Sequence, residues 1–442
     1  MALKNKFKFV LVGIVSTSVL FGTTLFSIVG SNAAAITEEP TVASLTGTCK
    51  SLPIKNAKIG IIVPLGGSFA SDTMQVINSA GMAIKKINAA GGVCGKSARY
   101  TFSIVKGNTN NEESSAVTSA AQLLNTTKDL NFVMTSYAST SNFEINIFAK
   151  TKMPYLMSAN SQQTADIISK NPSAYPTIWS RVPSYDGYQT ELPKVLNKLE
   201  ADGKIKFKHG KTVYIISSTD PYGSTIANGL KKSFPLNGWK VVGFDSVNYA
   251  GVQDWQAELS KIKQNVPDLI VNTDSTASDE AAFTTQFVDS PTDSLLFEQY
   301  APSVPQFLEL TGAKANGVLF NMLGGAIPTL PSTKAITAEF TAQFGTPGYF
   351  AVVAYNQLML YAYCVKQVGD PTNRLGIGKC FSTLNIKTPS GVLTFDQKNH
   401  LAKQSDTTYP ILFSQIQDGK LNVITPSQYA AAAFQTPPWF KG

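Results

Sequence analysis

Lys58 to Gly95 reads KIGIIVPLGGSFASDTMQVINSAGMAIKKINAAGGVCG, and this stretch decides the fold class. A short apolar run, Ile59-Gly60-Ile61-Ile62-Val63, is stopped by Pro64 and the Gly66-Gly67 pair. Met74, Ile77, Ala80, Gly81, Ile84 and Ile87 then recur at helical spacing, which predicts an amphipathic helix with those residues turned inward. Gly91 and Gly92 end the helix, because glycine accepts the left-handed backbone of a helix stop. Buried strand, turn and helix make the first half of a βαβ unit. In open parallel sheets, ligands sit at the carboxyl ends of the strands. The loops at those ends are therefore where a site is expected.

Downstream, strand and helix signals keep alternating. Strands are expected at Ala98–Lys106, Leu130–Thr135, Pro154–Met157, Thr177–Val182, Thr212–Ser217, Lys240–Phe244 and Leu269–Asn272, with helical stretches between them. That alternation argues for parallel sheets with right-handed crossovers. The pattern recurs in two blocks, before and after about residue 182. Tyr349–Val368 reads as a strongly apolar helix, Gly391–Asp396 as a hairpin or edge strand, and Pro410–Gln417 and Leu421–Ile424 as last strands. The Pro-rich end around Trp439 and Phe440 is expected to dock its aromatics on a lobe surface.

The 442 residues are 43% hydrophobic and 15% charged, an ordinary globular balance with room for two α/β domains. The formal charge is +8, but Lys4, Lys6 and Lys8 lie in the leader, which leaves 34 basic against 29 acidic residues. With no dense basic run and no interleaved aromatics, nucleic acid is not an expected partner. The leader has a basic start, an apolar run Phe9–Val29 and small residues Ala33-Ala34-Ala35, which suits an exported chain with a cleaved signal peptide over residues 1–35. The apolar run is also long enough to serve as an uncleaved anchor. Periplasmic or extracellular location is expected in either case. An even count of four cysteines in an exported chain points to disulfides. Three pairings are possible, and the local ones, Cys49–Cys94 and Cys364–Cys380, are favoured. No C-x-x-C occurs and histidine is scarce, so no metal site is expected.

Catalytic grammar is missing. The two histidines, His209 and His400, have no Ser or Cys elbow beside them, and no P-loop, H-E-x-x-H or dinucleotide glycine motif is present. No cofactor, no catalytic residue and no enzymatic turnover are expected. What remains is a set of strand-end loops rich in small hydroxylated residues and tyrosine: 136–141, 158–161, 220–223, 272–276 and 297–301. Ser and Thr are ordinary helix caps. Five such loops at equivalent ends of parallel strands also suit a binding surface, with N–H groups for an anionic end and tyrosine faces for an apolar one.

Taken in order, IGIIVPLGGSFA, INAAGGVCGK, PYLMSANS, STDPYGSTIANGL, KANGVLF, AYNQLMLYAYCVKQVG and GVLTFD resemble the type I periplasmic binding proteins of the branched-chain amino acid group, the substrate-binding components of ABC importers. The resemblance runs from about Lys58 to the C-terminus. It implies an α/β fold of two doubly wound parallel-sheet lobes joined by a three-crossover hinge. After the signal peptide and an arm at 36–55, lobe one would be 56–181 plus 324–392 and lobe two 182–323 plus 393–442. It implies a small polar ligand held in the cleft, an ABC permease as membrane partner, and a monomer. A ligand-sensing module of the same fold, signalling through a membrane receptor, is the alternative.

By motif order, the resemblance places ligand-binding positions at Ser139, Ala159, Asn160 and Ser161 in lobe one and at Tyr222, Ser275 and Thr276 in lobe two. Counting back from Gly312, the position where amino-acid binders carry an ammonium-binding carboxylate is Tyr300. A buried ammonium needs a countercharge or full hydrogen bonding. Asp220, Asp274 and Glu298 are the candidate partners; otherwise the resemblance implies a ligand without an α-ammonium, an amide, a urea-like compound, an aromatic acid or a short carboxylate.

Overall fold

The computed structural model describes residues 35–47, 49–66, 69–110, 114–135, 142–158 and 161–442. The signal-peptide region and the loop positions Ser139, Ala159 and Asn160 lie outside them. Among the described residues no helix is long and apolar enough to cross a membrane. Residues 36–442 form one unit.

Two sheets carry the fold. The first contains β1 (Ile54–Val63), β2 (Val93–Cys94), β3 (Arg99–Asn108), β4 (Leu130–Thr135), β5 (Tyr155–Met157) and β6 (Ile178–Ser180), in the order β2-β3-β1-β4-β5-β6. β1 is central and pairs in parallel with β3 and β4, placing Ile59 beside Ile104 and Phe132. Gly60 lies where a Cβ would crowd Val133 and Leu124, and Gly107 lies within 2.8 Å of Leu124 in the same sense. The missing side chains let helix Ser114–Thr126 seat Leu124 directly on the strands.

The second sheet contains β7 (Thr212–Ser218), β8 (Lys240–Val247), β9 (Leu269–Asn272), β10 (Leu295–Glu298) and β11 (Leu319–Leu323). After β12 (Asn385–Thr388) and β13 (Gly391–Thr394), a separate antiparallel pair, it is completed by β14 (Ile411–Gln417) and β15 (Lys420–Thr425). Its order is β15-β14-β11-β10-β9-β7-β8. Neither sheet is wholly parallel: β2 runs against β3, and β14 and β15 run against their neighbours. The tight Asp418-Gly419 turn, with φ of +50° and +70°, accounts for the last pair, because a two-residue turn joins only antiparallel strands.

Each sheet has its own core. The first is dominated by helix Tyr349–Val368, fifteen of whose residues are buried, packed against helix Ala70–Ala89. Tyr361 stacks on Phe132 of β4 at 4.2 Å. Gln357, in the same helix, donates from Nε2 to the carbonyls of Thr135 and Leu156, both at 2.8 Å, so a buried amide ties the helix to β4 and β5. In the second core Trp255 is fully buried and donates to the Asp279 carbonyl at 3.0 Å. The C-terminal Trp439 docks there as well, donating to the Ser294 carbonyl at 3.0 Å and meeting Phe287 edge-on.

The chain passes between the cores three times, near 181–184, 323–327 and 409–411. Leu393, Phe395, Ala402 and Tyr409 belong to the first core and Ile411 and Phe413 to the second. Arg181, fully buried, donates from Nη2 to Ser390 Oγ at 2.7 Å and to the Gly324 carbonyl at 3.3 Å. Tyr409 Oη donates back to the Arg181 carbonyl. Gly324 has φ +57°, and a Cβ there would meet Val182 Cγ1 at 2.7 Å, so the second passage can lie against the first only with glycine. His400 is buried and stacks on Trp179 at 3.9 Å, and that burial pushes its imidazole pKa down.

Both local disulfides form, Cys49–Cys94 tying the N-terminal arm to β2 and Cys364–Cys380 joining two helices. A loop of about 15 residues is worth about 3 kcal/mol in the chain-entropy picture. Replacing Cys364 and Cys380 together with Ser should therefore lower the unfolding free energy of the first lobe by about 3 kcal/mol, read as a lower urea midpoint for the probe of that lobe.

Candidate functional site

The carboxyl ends of β1, β9 and β10 open into one cavity. After β1, Phe69, Ser71 and Asp72 line it; after β9, Ser275, Thr276 and Ala277; after β10, Tyr300 and Val304. Its space is about 250 Å³, open solvent at the mouth included. Tyr300 Oη donates to Asp72 Oδ2 at 2.6 Å across the cleft, joining the two lobes. Phe69 and Tyr249 stack across the same gap at 6.3 Å. Burial pushes the Asp72 carboxyl up to about 7, and the Tyr300 hydrogen bond acts in the opposite sense.

Tyr300 is held in an unusual backbone. Its φ of +79° and ψ of −55°, with the Ala301 N–H donating to the Gln299 carbonyl at 3.1 Å, make a γ-turn of the rare φ-positive kind. A tyrosine there costs on the order of 1–3 kcal/mol and persists only because its surroundings enforce it. Ser303 donates its hydroxyl and N–H to the Tyr300 carbonyl at 2.6 and 2.8 Å. The Gln299 N–H reaches the Asn272 carbonyl at 2.9 Å, and its Nε2 reaches Tyr222 Oη at 3.1 Å. Ser275 is also left-handed, φ +71°, and its N–H donates to Glu280 Oε1 at 2.9 Å. The Glu280 carboxyl lies against the Ala301 N–H too, so one buried acid braces both cavity loops.

Behind these loops Asp274, Glu280 and Glu298 are all fully buried. None of the ion pairs among the described residues includes them. Burial raises all three carboxyls, Asp274 to about 7, and mutual repulsion raises Glu280 and Glu298 further. Burial and repulsion both favour the protonated forms of these groups, and a protonated carboxyl can donate as well as accept. Among the described residues no group of His, Cys, Asp or Glu is arranged to hold a metal ion.

Of the positions read from the sequence, Ser275, Thr276 and Tyr300 line the cavity together. Tyr222 adjoins it, its ring 6.4 Å from Tyr300, 5.2 Å from Tyr185 and 6.5 Å from Tyr188. Ser161 stands at the start of helix Gln162–Lys170 and bonds the Tyr185 side chain from the lobe-one side. Asp220 is occupied as a helix cap: Oδ2 accepts the Tyr222 and Gly223 N–H groups at 2.8 and 3.0 Å, and the Ser218 hydroxyl takes Oδ1. Glu298 accepts from Thr284 Oγ1 at 3.0 Å, and Asp274 Oδ1 from the Thr276 N–H at 3.0 Å. Asp72 and Glu280 were not among the expected residues.

A family model described as periplasmic binding protein matches residues 56–420. The chain belongs to the periplasmic binding protein family. Within that family it is similar to a leucine-, isoleucine-, valine-, threonine- and alanine-binding protein of Pseudomonas aeruginosa, 24% identical over 374 residues, covering 81% of this chain and 91% of the relative. Among solved structures, a provisionally assigned branched-chain amino acid ABC transporter protein from Silicibacter pomeroyi superimposes with a TM-score of 0.77 at 23% identity, covering 87% of this chain and all of that one. A solute-binding protein from R. palustris in complex with benzoate superimposes with a TM-score of 0.68 at 17% identity, covering 87% of this chain and 99% of that one. The two-lobed α/β fold is that of this periplasmic binding protein family.

Asp72 and Asp274 titrate near 7 in the folded periplasmic binding protein and near 4 in an unfolded chain, so the folded state holds more protons between those values. Stability from these groups is complete below about pH 4 and is lost as pH rises toward 7, at up to about 1.4 kcal/mol per pH unit per group. The urea midpoint of ligand-free protein should fall from pH 5 to pH 8, and Asp72→Asn should make that fall shallower.

Proposed function

We propose that this periplasmic binding protein captures a small polar organic molecule, an amino acid, amide or small carboxylate, in the cleft between its lobes and delivers it to an ABC importer in the membrane. The observation that carries the reading is the cavity in which Asp72, from the end of β1, faces Ser275, Thr276 and Tyr300, from the ends of β9 and β10. Loops at the carboxyl ends of two separate sheets converge on it, which is where open α/β folds bind ligands.

The lobe-one grip on an anionic end is assigned to Ser139, Ala159, Asn160 and Ser161, and the aromatic wall to Tyr222 and Tyr300. No chemistry is done on the ligand: the relatives named above are binding proteins, one of amino acids and one solved with benzoate. The leader at 1–35 supports export, so the protein works outside the cytoplasm, as a monomer that meets its permease partner.

Tyr222 is enclosed by three other tyrosine rings and its hydroxyl is held by Gln299. Truncating a partly buried aromatic of this size removes about 1–3 kcal/mol of apolar contact. Tyr222→Ala should therefore weaken binding of the co-purifying ligand by about tenfold to a hundredfold in calorimetry. Native mass spectrometry of freshly purified protein identifies that ligand. Unchanged affinity in the variant would remove Tyr222 from the site, and a bound molecule recovered chemically altered would contradict a pure binding role.

A further inference from the structure

We propose that Asp72 is the counter-charge for a cationic nitrogen on the ligand, with Tyr300 holding that carboxylate in place, so the cleft selects compounds bearing a protonated amine or amidine. The inference rests on the cleft being a solute-binding site and names the chemistry that site accepts.

Three observations carry it. First, Asp72 lines the cavity, is only 5% exposed, and takes part in none of the ion pairs among the described residues. Tyr300 gives it a hydrogen bond at 2.6 Å but no charge. An ionised carboxylate removed from water needs an opposing charge, and among the described residues nothing that lines the cavity brings one. Second, the cavity's other polar members, Ser71, Ser275, Thr276 and Tyr300, are neutral, and the acid nest of Asp274, Glu280 and Glu298 lies behind the Ser275–Thr276 side. Protonated or sharing protons, that nest brings no positive charge, so among the described residues nothing on this side of the cavity favours an anionic group. Third, the lobe-two position expected to carry an ammonium-binding acid holds Tyr300 instead, and that residue's hydroxyl points to Asp72 on the opposite lobe. The acid of this cleft stands on the facing wall, in the first turn of helix Ala70–Ala89. A ligand nitrogen bound there would meet groups from both lobes at once, exchanging the Tyr300–Asp72 contact for a bridge through itself.

The test is calorimetry on the intact mature protein, stripped of bound ligand, and on Asp72→Asn and Tyr300→Phe. The probes are L-arginine, L-leucine and putrescine, which carry cationic nitrogen, and benzoate and acetamide, which do not. Circular dichroism and urea melts confirm that each variant is folded. The proposal expects at least one nitrogen cation to bind. It expects a loss of more than thirtyfold in Asp72→Asn and a smaller loss, about threefold to tenfold, in Tyr300→Phe. If Asp72 only braces the fold, Asp72→Asn changes the urea melt and leaves probe affinity as it was; that overturns the proposal and leaves the solute-binding reading intact. So does tight binding of benzoate or acetamide that Asp72→Asn leaves unchanged. If no probe binds and no ligand co-purifies, the solute-binding reading fails, and this inference with it.

Discussion

Three passages of chain between two lobes have to be held in register, and one buried arginine does it. Arg181 sits in the first passage, reaches Gly324 in the second and Ser390 in the loop joining β12 and β13, and has its own carbonyl taken by Tyr409 just before the third passage ends. Ser390 in turn donates to the Gly324 carbonyl at 2.7 Å, closing a triangle. Among the described residues Arg181 Nε and Nη1 meet no acceptor, and no carboxylate pairs with the guanidinium. Burying such a group costs several kcal/mol, about what the interior of a protein charges for an imperfectly paired ion. A position that merely filled space would be cheaper as a hydrocarbon. What the arginine supplies is a common anchor for strands that belong to different sheets. The neighbouring Leu323 is fixed by two tyrosines, Tyr188 accepting its N–H and Tyr349 donating to its carbonyl. With the passages gathered at one place, the carboxyl ends of the strands on either side face each other.

The cleft is expensive in a second way. Tyr300 and Ser275 occupy backbone conformations that their side chains disfavour, and three acids are buried without a cation to hold the loops there. Protein interiors ordinarily avoid both. The two costs belong together. Glu280 can brace the Ser275 and Ala301 N–H groups only from inside, and from that place it shares low-dielectric space with Glu298 and Asp274. Two left-handed residues and three buried acids come together where the two cavity loops meet. That distribution fits loops shaped to receive something rather than loops that only connect strands.

Much of the fold was legible from local pattern. The run from Ile59 to Val63 became the centre of a parallel sheet, the alternation after it became two sheets, and Tyr349–Val368 became the buried helix its apolar content required. The disulfides and the docked Trp439 followed the same way. Asp72 was hidden for a specific reason. Reading Met74 as inward turns Asp72, two residues away, toward solvent. In the structure Met74 is half exposed while Val76, Ala80, Ala83 and Ile87 face the core, so the helix is rotated and Asp72 lies under the opposite lobe. Periodicity locates a stripe but not what a distant loop will cover. Glu280 was missed similarly: a helical acid is normally solvated, and only the approach of the 274–276 and 299–301 loops buries it. The antiparallel edge strands depend on tight turns and short pairings that a count of alternating elements does not register.

The account turns on a ligand being clasped by both lobes at their facing strand ends. Hydrogen exchange on the protein as purified, compared with the same protein stripped by unfolding and refolding, addresses this most directly. The account predicts that bound ligand slows exchange together at residues 70–73, 275–277 and 299–304, while the edge strand Lys240–Val247 is unaffected. Protection confined to one lobe, or no difference between the two samples, would contradict it.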